Sequence, residues 1–175
     1  LLRNCAPEVE TSNVSVCLWS NPTTLPKFDA IAELKNARVE RKERGKTAGK
    51  SCTWEEDRHR CQTAKRMYDV RSYVGEVGNT RRKAIFAHPY PSKGSLQVNY
   101  SLQAPLMSLR FSYGNALRGV RMEDGTSVRV RLTLDDKELF TDEVAIDDFG
   151  WKTKTLKFQA KPGQNLRFDV EAEDS

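Results

Sequence analysis

Ser127-Val128-Arg129-Val130-Arg131-Leu132-Thr133-Leu134 places its four aliphatic residues at every second position, with Arg129, Arg131 and Thr133 between them. A period of two sends successive side chains to opposite faces of an extended chain, so the segment predicts a strand with one core face and one wet face. Asp135-Asp136 interrupts it with turn chemistry, and Leu139 to Ile146 reads as the returning strand of a hairpin. Asp147-Asp148-Phe149-Gly150 is a second corner, followed by a strand from Trp151 to Phe158. Pro162-Gly163 supplies a third turn, with φ fixed by the proline and freed at the glycine, before Asn165 to Ala172 alternates without a fault.

Upstream the same pattern recurs. Leu96, Val98 and Tyr100 oppose Ser95, Gln97, Asn99 and Ser101, while Met107, Leu109, Phe111 and Tyr113 oppose Ser108, Arg110 and Ser112. Short strands separated by turns predict a mainly β, antiparallel, jelly-roll-like sandwich of about eight strands. The chain has 175 residues, enough for one such domain and an appendage, which divides it into an N-terminal extension over 1–50 and a β-sandwich over 51–175. No apolar run is long enough to cross a bilayer as a helix.

The net charge of +5 hides an asymmetry. Between Lys27 and Lys83 there are 16 Lys/Arg against 9 Asp/Glu, and between Arg121 and Ser175 there are 9 against 13. The basic half contains the one predicted helix, capped by Asp29, running to about Arg44 and ended by Gly45. Only Ile31 and Leu34 offer it an apolar stripe. Arg38, Arg41, Lys42 and Arg44 load its second half with charge, as a solvated stalk or a patch for an acidic partner or an anionic membrane surface. From Ser51 to Lys83 the signals conflict: Thr53 and Glu56 spell a capping box, yet Arg58 to Val74 suits strands, and strands are the expectation adopted.

Cys5, Cys17, Cys52 and Cys61 contain no Cys-x-x-Cys, which argues against a zinc ribbon. Two local disulfides, Cys5 with Cys17 and Cys52 with Cys61, are the chosen connectivity, and they imply an oxidising compartment: periplasm, cell surface or secreted space. Two short motifs are rejected. Gly45 to Ser51 resembles a phosphate-binding loop but has three residues between its glycines instead of four, and Asp148-Phe149-Gly150 lacks every other kinase element.

The order of Cys61, Arg81-Arg-Lys-Ala-Ile-Phe-Ala-His-Pro, a polar alternating strand and Gly150-Trp151 before a late strand pair resembles bacterial extracytoplasmic β-sandwich domains of the galactose-binding or carbohydrate-binding-module type. The resemblance covers about Ser51 to Ala172, with Ile85-Phe86-Ala87-His88-Pro89 its most specific piece. It implies a non-catalytic binding or scaffolding role, often beside a membrane, with a glycan or envelope protein as partner. No sugar-site motif is carried over from it.

Hydrolysis needs a nucleophile, a base and an orienting group. His59 and His88 are the only histidines. Neither sits in such a constellation, so no catalytic residue is assigned and the chain is read as non-enzymatic. For glycan binding, an aromatic face and planar polar groups are wanted, and Trp151 beside Asp147 and Asp148, with Arg110, is the best local set. The alternative for Trp151 is a plug at the core edge. A calcium ion at Asp147 and Asp148 is a secondary reading of that turn, with no other cofactor or metal expected. The segment Lys35 to Lys50 carries charge without interleaved aromatics, so nucleic acid is not the expected partner.

Overall fold

A computed structural model describes residues 28–43, 49–61, 69–88, 94–114, 127–145, 147–148 and 150–172. Among these, a single-turn 3-10 helix, Ala32–Asn36, precedes twelve strands. They are β1 (Arg38–Lys42), β2 (Lys50–Ser51), β3 (Thr53–Glu55), β4 (Arg58–Arg60), β5 (Val70–Val77), β6 (Thr80–Phe86), β7 (Ser95–Ser101), β8 (Leu106–Tyr113), β9 (Val128–Leu134), β10 (Lys137–Val144), β11 (Lys152–Ala160) and β12 (Asn165–Ala172). The mainly β, antiparallel class read from the alternation is what forms. Six strands build one sheet in the order β10-β9-β12-β7-β1-β2, β11 and β8 form a two-stranded sheet, and β3-β4-β5-β6 form a third.

Register follows the apolar pattern. Leu134 lies opposite Leu166, which lies opposite Tyr100; Leu132, Phe168, Val98 and Val39 make the next row, and Val130, Val170 and Leu96 the one after. A slip of one residue would turn every one of these side chains to solvent, so burial fixes the pairing. The two-stranded sheet covers this apolar face with Leu109, Phe111 and Tyr113 from β8 and Leu156 and Phe158 from β11. Phe111 stands edge-on to Phe140 at 5.3 Å and to Phe168 at 6.1 Å, which ties the two layers together.

The predicted corners form, with different jobs. Asp135 and Asp136 have φ of 45° and 66°, the doubly left-handed turn that matches hairpin twist, and they join β9 directly to β10. The Asp135 carboxylate accepts Asn165 N–H at 2.8 Å and Gln164 Nε2–H at 2.6 Å, bonds that hold its carboxyl below the ordinary range. Pro162-Gly163, with Gly163 at φ 86°, instead carries the chain from the two-stranded sheet to the six-stranded one. The corner 147–150 changes layer in the same way. The pairings β7 with β12, β8 with β11 and β9 with β10 are therefore nested inside one another.

The expected basic helix from Asp29 to Arg44 is a correction. Asp29 does cap, its Oδ1 accepting Ile31 and Ala32 N–H at 2.9 and 3.1 Å, but the turn ends at Asn36. Arg38–Lys42 then pairs with β7, burying Val39 opposite Val98. One buried valine in a sheet row stabilises more than a helix whose stripe ends after Leu34. The expected extension is thus not separate from the sandwich, since β1 and β2 belong to its main sheet. Arg44, Cys5 and Cys17 lie outside the described residues.

Strands, not a helix, occupy the described residues that follow Ser51, while 62–68 lie outside them. Glu56, at φ 56°, turns β3 into β4, and the Cys52–Cys61 disulfide closes this hairpin as expected. One bond fastens it to the main sheet, Cys52 N–H to Val39 O at 2.8 Å, and another joins it to the 3-10 helix, between His59 Nε2 and Leu34 O at 2.7 Å.

Candidate functional site

The corner 147–150 brings Trp151 to the start of β11, opposite the end of β8. Space there is tight: a Cβ on Gly114 would lie 2.9 Å from Gly150 O and 3.0 Å from Val77 Cγ1, so β8, β11 and the β5–β6 hairpin meet at backbone distance. Trp151 is half-buried, and its indole N–H donates to Thr80 O in that hairpin at 3.2 Å. The Arg82 guanidinium lies 5.1 Å from the ring centroid and donates from Nη1 to Ser112 Oγ at 3.0 Å. Ser112 Oγ is 2.8 Å from Thr153 Oγ1, so ring, guanidinium and two hydroxyls form one connected group. Fastened at its N–H and on one face, the ring has little rotamer freedom left to lose on binding.

Of the residues the sequence groups with Trp151, the structure keeps Arg110 on its face and engages Asp148 elsewhere. Because Leu109, Phe111 and Tyr113 fill the core, Ser108, Arg110 and Ser112 lie on the outer face of β8. Arg110 therefore shares the Trp151 face, opposite Thr155, about 6.6 Å along the strand from Ser112. Asp148 does not take part: its Oδ2 is 3.0 Å from Lys152 Nζ, and its Oδ1 accepts Gly150 N–H at 3.3 Å. Asp147 is exposed.

Lys152 binds a second carboxylate, Asp142, at 3.3 Å, and Asp142 also accepts the Tyr113 hydroxyl at 2.6 Å. Burial opposes the charge on Asp142, yet the Tyr113 hydroxyl and Lys152 outweigh it and keep the carboxyl below its usual range. Burial likewise opposes the ammonium, but Asp148 and Asp142 raise its pKa. The Tyr113 hydroxyl is pushed upward by burial first and then by Asp142. This lysine already supplies beside Asp148 the kind of positive charge that calcium would bring. Among the described residues no group of three or more His, Cys, Asp or Glu is placed to hold a metal ion.

The basic patch expected on a helix is dispersed by β1. Arg41 is turned inward and buried opposite Leu96, Arg38 points outward and lies 3.6 Å from Glu40, and Lys42 is half-buried. His59 is also buried, edge-on to Trp54 at 4.9 Å; burial lowers its pKa, partly offset by the bond to Leu34 O. His88 sits by Phe86, with ring centroids 6.4 Å apart.

The two outer faces differ in charge. On the six-stranded sheet opposite charges pair: Asp169 accepts Gln97 Nε2–H at 2.6 Å and Arg167 Nε–H at 3.1 Å, Arg167 reaches Asp136 at 2.7 Å, and Arg131 lies 3.4 Å from Glu138 and 3.8 Å from Glu171. Burial works against the Arg167 charge, but Asp169 and Asp136 more than compensate. On the two-stranded sheet the outer residues are Ser108, Arg110, Ser112, Trp151, Thr153, Thr155, Lys157 and Gln159, and none is acidic. Sequence reasoning missed Arg82, whose only signal was membership of the run Arg81-Arg82-Lys83.

Comparison with known proteins finds no family model, no curated protein and no solved structure that matches this chain.

Proposed function

We propose that this protein is a non-catalytic, jelly-roll-type binding module that works outside the cytoplasm, associated with glycan or the cell envelope, and that it takes saccharide on the outer face of β8 and β11. The nested pairings of β7–β12, β8–β11 and β9–β10 support the jelly-roll reading, because that topology is one long hairpin rolled into two layers. The Cys52–Cys61 disulfide supports an oxidising compartment. Among the described residues, no helix is long and apolar enough to cross a membrane.

The observation that carries the glycan reading is the Trp151 group. An immobilised indole beside the exposed Thr153 hydroxyl and two guanidinium groups offers an apolar surface together with planar and hydroxyl partners for a polyol, while the buried Ser112 holds Arg82 and Thr153 in place from beneath. His59 is committed to Leu34 O inside the protein, which supports a binding role over acid-base chemistry. Glycan-array binding by the wild type, lost in Trp151→Ala while circular dichroism and urea midpoint hold, is the expected result. Binding that survives Trp151→Ala unchanged refutes this placement of the site.

A further inference from the structure

We infer that the saccharide taken by the β8–β11 face is a polyanionic glycan, carrying a carboxylate, sulfate or phosphate on its repeating unit. This rests on the glycan reading above and narrows it to a charge class. Three cations share the face: Arg82, held by Trp151 and Ser112, and the exposed Arg110 and Lys157. Arg110 pairs across the sheet with Thr155, and Lys157 with Ser108, which makes Arg110 and Lys157 diagonal neighbours about 7–8 Å apart. Among the described residues neither has a carboxylate partner.

The nearby carboxylates are engaged elsewhere, because Asp142 and Asp148 both meet Lys152. These two carboxylates are therefore directed away from the face, whereas on the six-stranded sheet Arg131 and Arg167 meet carboxylates of that sheet and of its β9–β10 turn. Like charges left adjacent on a flat sheet cost stability unless an anion is to be met there. The exposed Thr153 and Thr155 hydroxyls lie among the cations and suit the hydroxyls of a sugar ring. A nucleic-acid strand wants several stacking platforms in succession, and among the described residues of this face Trp151 is the one aromatic ring.

The test titrates the intact, oxidised protein with polygalacturonate, dextran sulfate, uncharged dextran and a single-stranded oligonucleotide at several salt concentrations. The inference expects one or both anionic polysaccharides to bind, with affinity falling at least tenfold in Arg110→Ala/Lys157→Ala. The salt slope should shrink by roughly one for each cation removed. Lys137→Ala, an exposed site in the β9–β10 hairpin, removes a like charge elsewhere and should leave binding unchanged. Equal weakening by Lys137→Ala means unspecific attraction and overturns the site. Stronger binding to the oligonucleotide overturns the class. Trp151-dependent binding of uncharged dextran, indifferent to the double variant, removes the charge inference and leaves the glycan reading standing. Binding to none of the saccharides removes both.

Discussion

Arg82 is the residue on which the order of the Trp151 group depends, and removing it gives a graded, checkable loss. Arg82→Ala deletes a guanidinium 5.1 Å from the indole centroid, worth about 0.5–2 kcal/mol, and a charged hydrogen bond to Ser112 worth about 1.5–3 kcal/mol. The two are not additive, since one geometry serves both, and Ser112 keeps Thr153 as a partner at 2.8 Å, so no hydroxyl is orphaned. The expected destabilisation is about 1.5–2.5 kcal/mol by urea unfolding. Arg82→Lys keeps the charge without the planar fork and should recover less than half of it. A double-mutant cycle with Trp151→Leu should return a coupling of about 0.5–2 kcal/mol. Fluorotryptophan NMR should show the Trp151 signal, identified by Trp151→Phe, broadening when Arg82 is lost. A coupling near zero with an unmoved Trp151 signal would refute the clamp.

Leu132, fully buried in the row with Phe168 and Val98, should cost about 2–5 kcal/mol when truncated to alanine, measured by urea unfolding; a loss under about 1 kcal/mol contradicts the two-layer core. Closing a hairpin between residues 9 apart, the Cys52–Cys61 bond should contribute about 2.5 kcal/mol, so Cys52→Ser/Cys61→Ser should unfold at a lower urea midpoint than oxidised wild type, and an unchanged midpoint contradicts this. His59 is held neutral by burial with its pKa below the ordinary value, so the unfolded chain takes up this proton first. Stability should therefore be full above about pH 6.5 and fall as pH drops from there through the folded pKa, a slope that flattens in His59→Gln.

What could be read from the sequence was whatever depended on alternation and turn chemistry. β9 and β12 are legible because each apolar residue on one strand meets an apolar residue on the next, and Asp135-Asp136 because few residues accept a left-handed backbone. Arg38 to Lys42 was not legible, since Val39 is its only apolar residue and its strand character comes from β7, a partner distant in sequence. The Trp151 site was half legible for the same reason. Trp151 and Arg110 share a face through the β8–β11 register, but Thr80 and Arg82 arrive from a hairpin some 71 residues earlier. Asp147 and Asp148 lie next to Trp151 in the chain and so look like part of its site, while Lys152, four residues after Asp148, binds that carboxylate.

The most direct test of the binding face is a residue-resolved NMR titration with oligogalacturonate and a neutral oligosaccharide of equal length. The account predicts that the acidic ligand shifts the Trp151 indole N–H and the amides of Arg110, Ser112, Thr153 and Thr155 together. Shifts confined to the outer face of β7, β9 and β12, or none with either ligand, would contradict it.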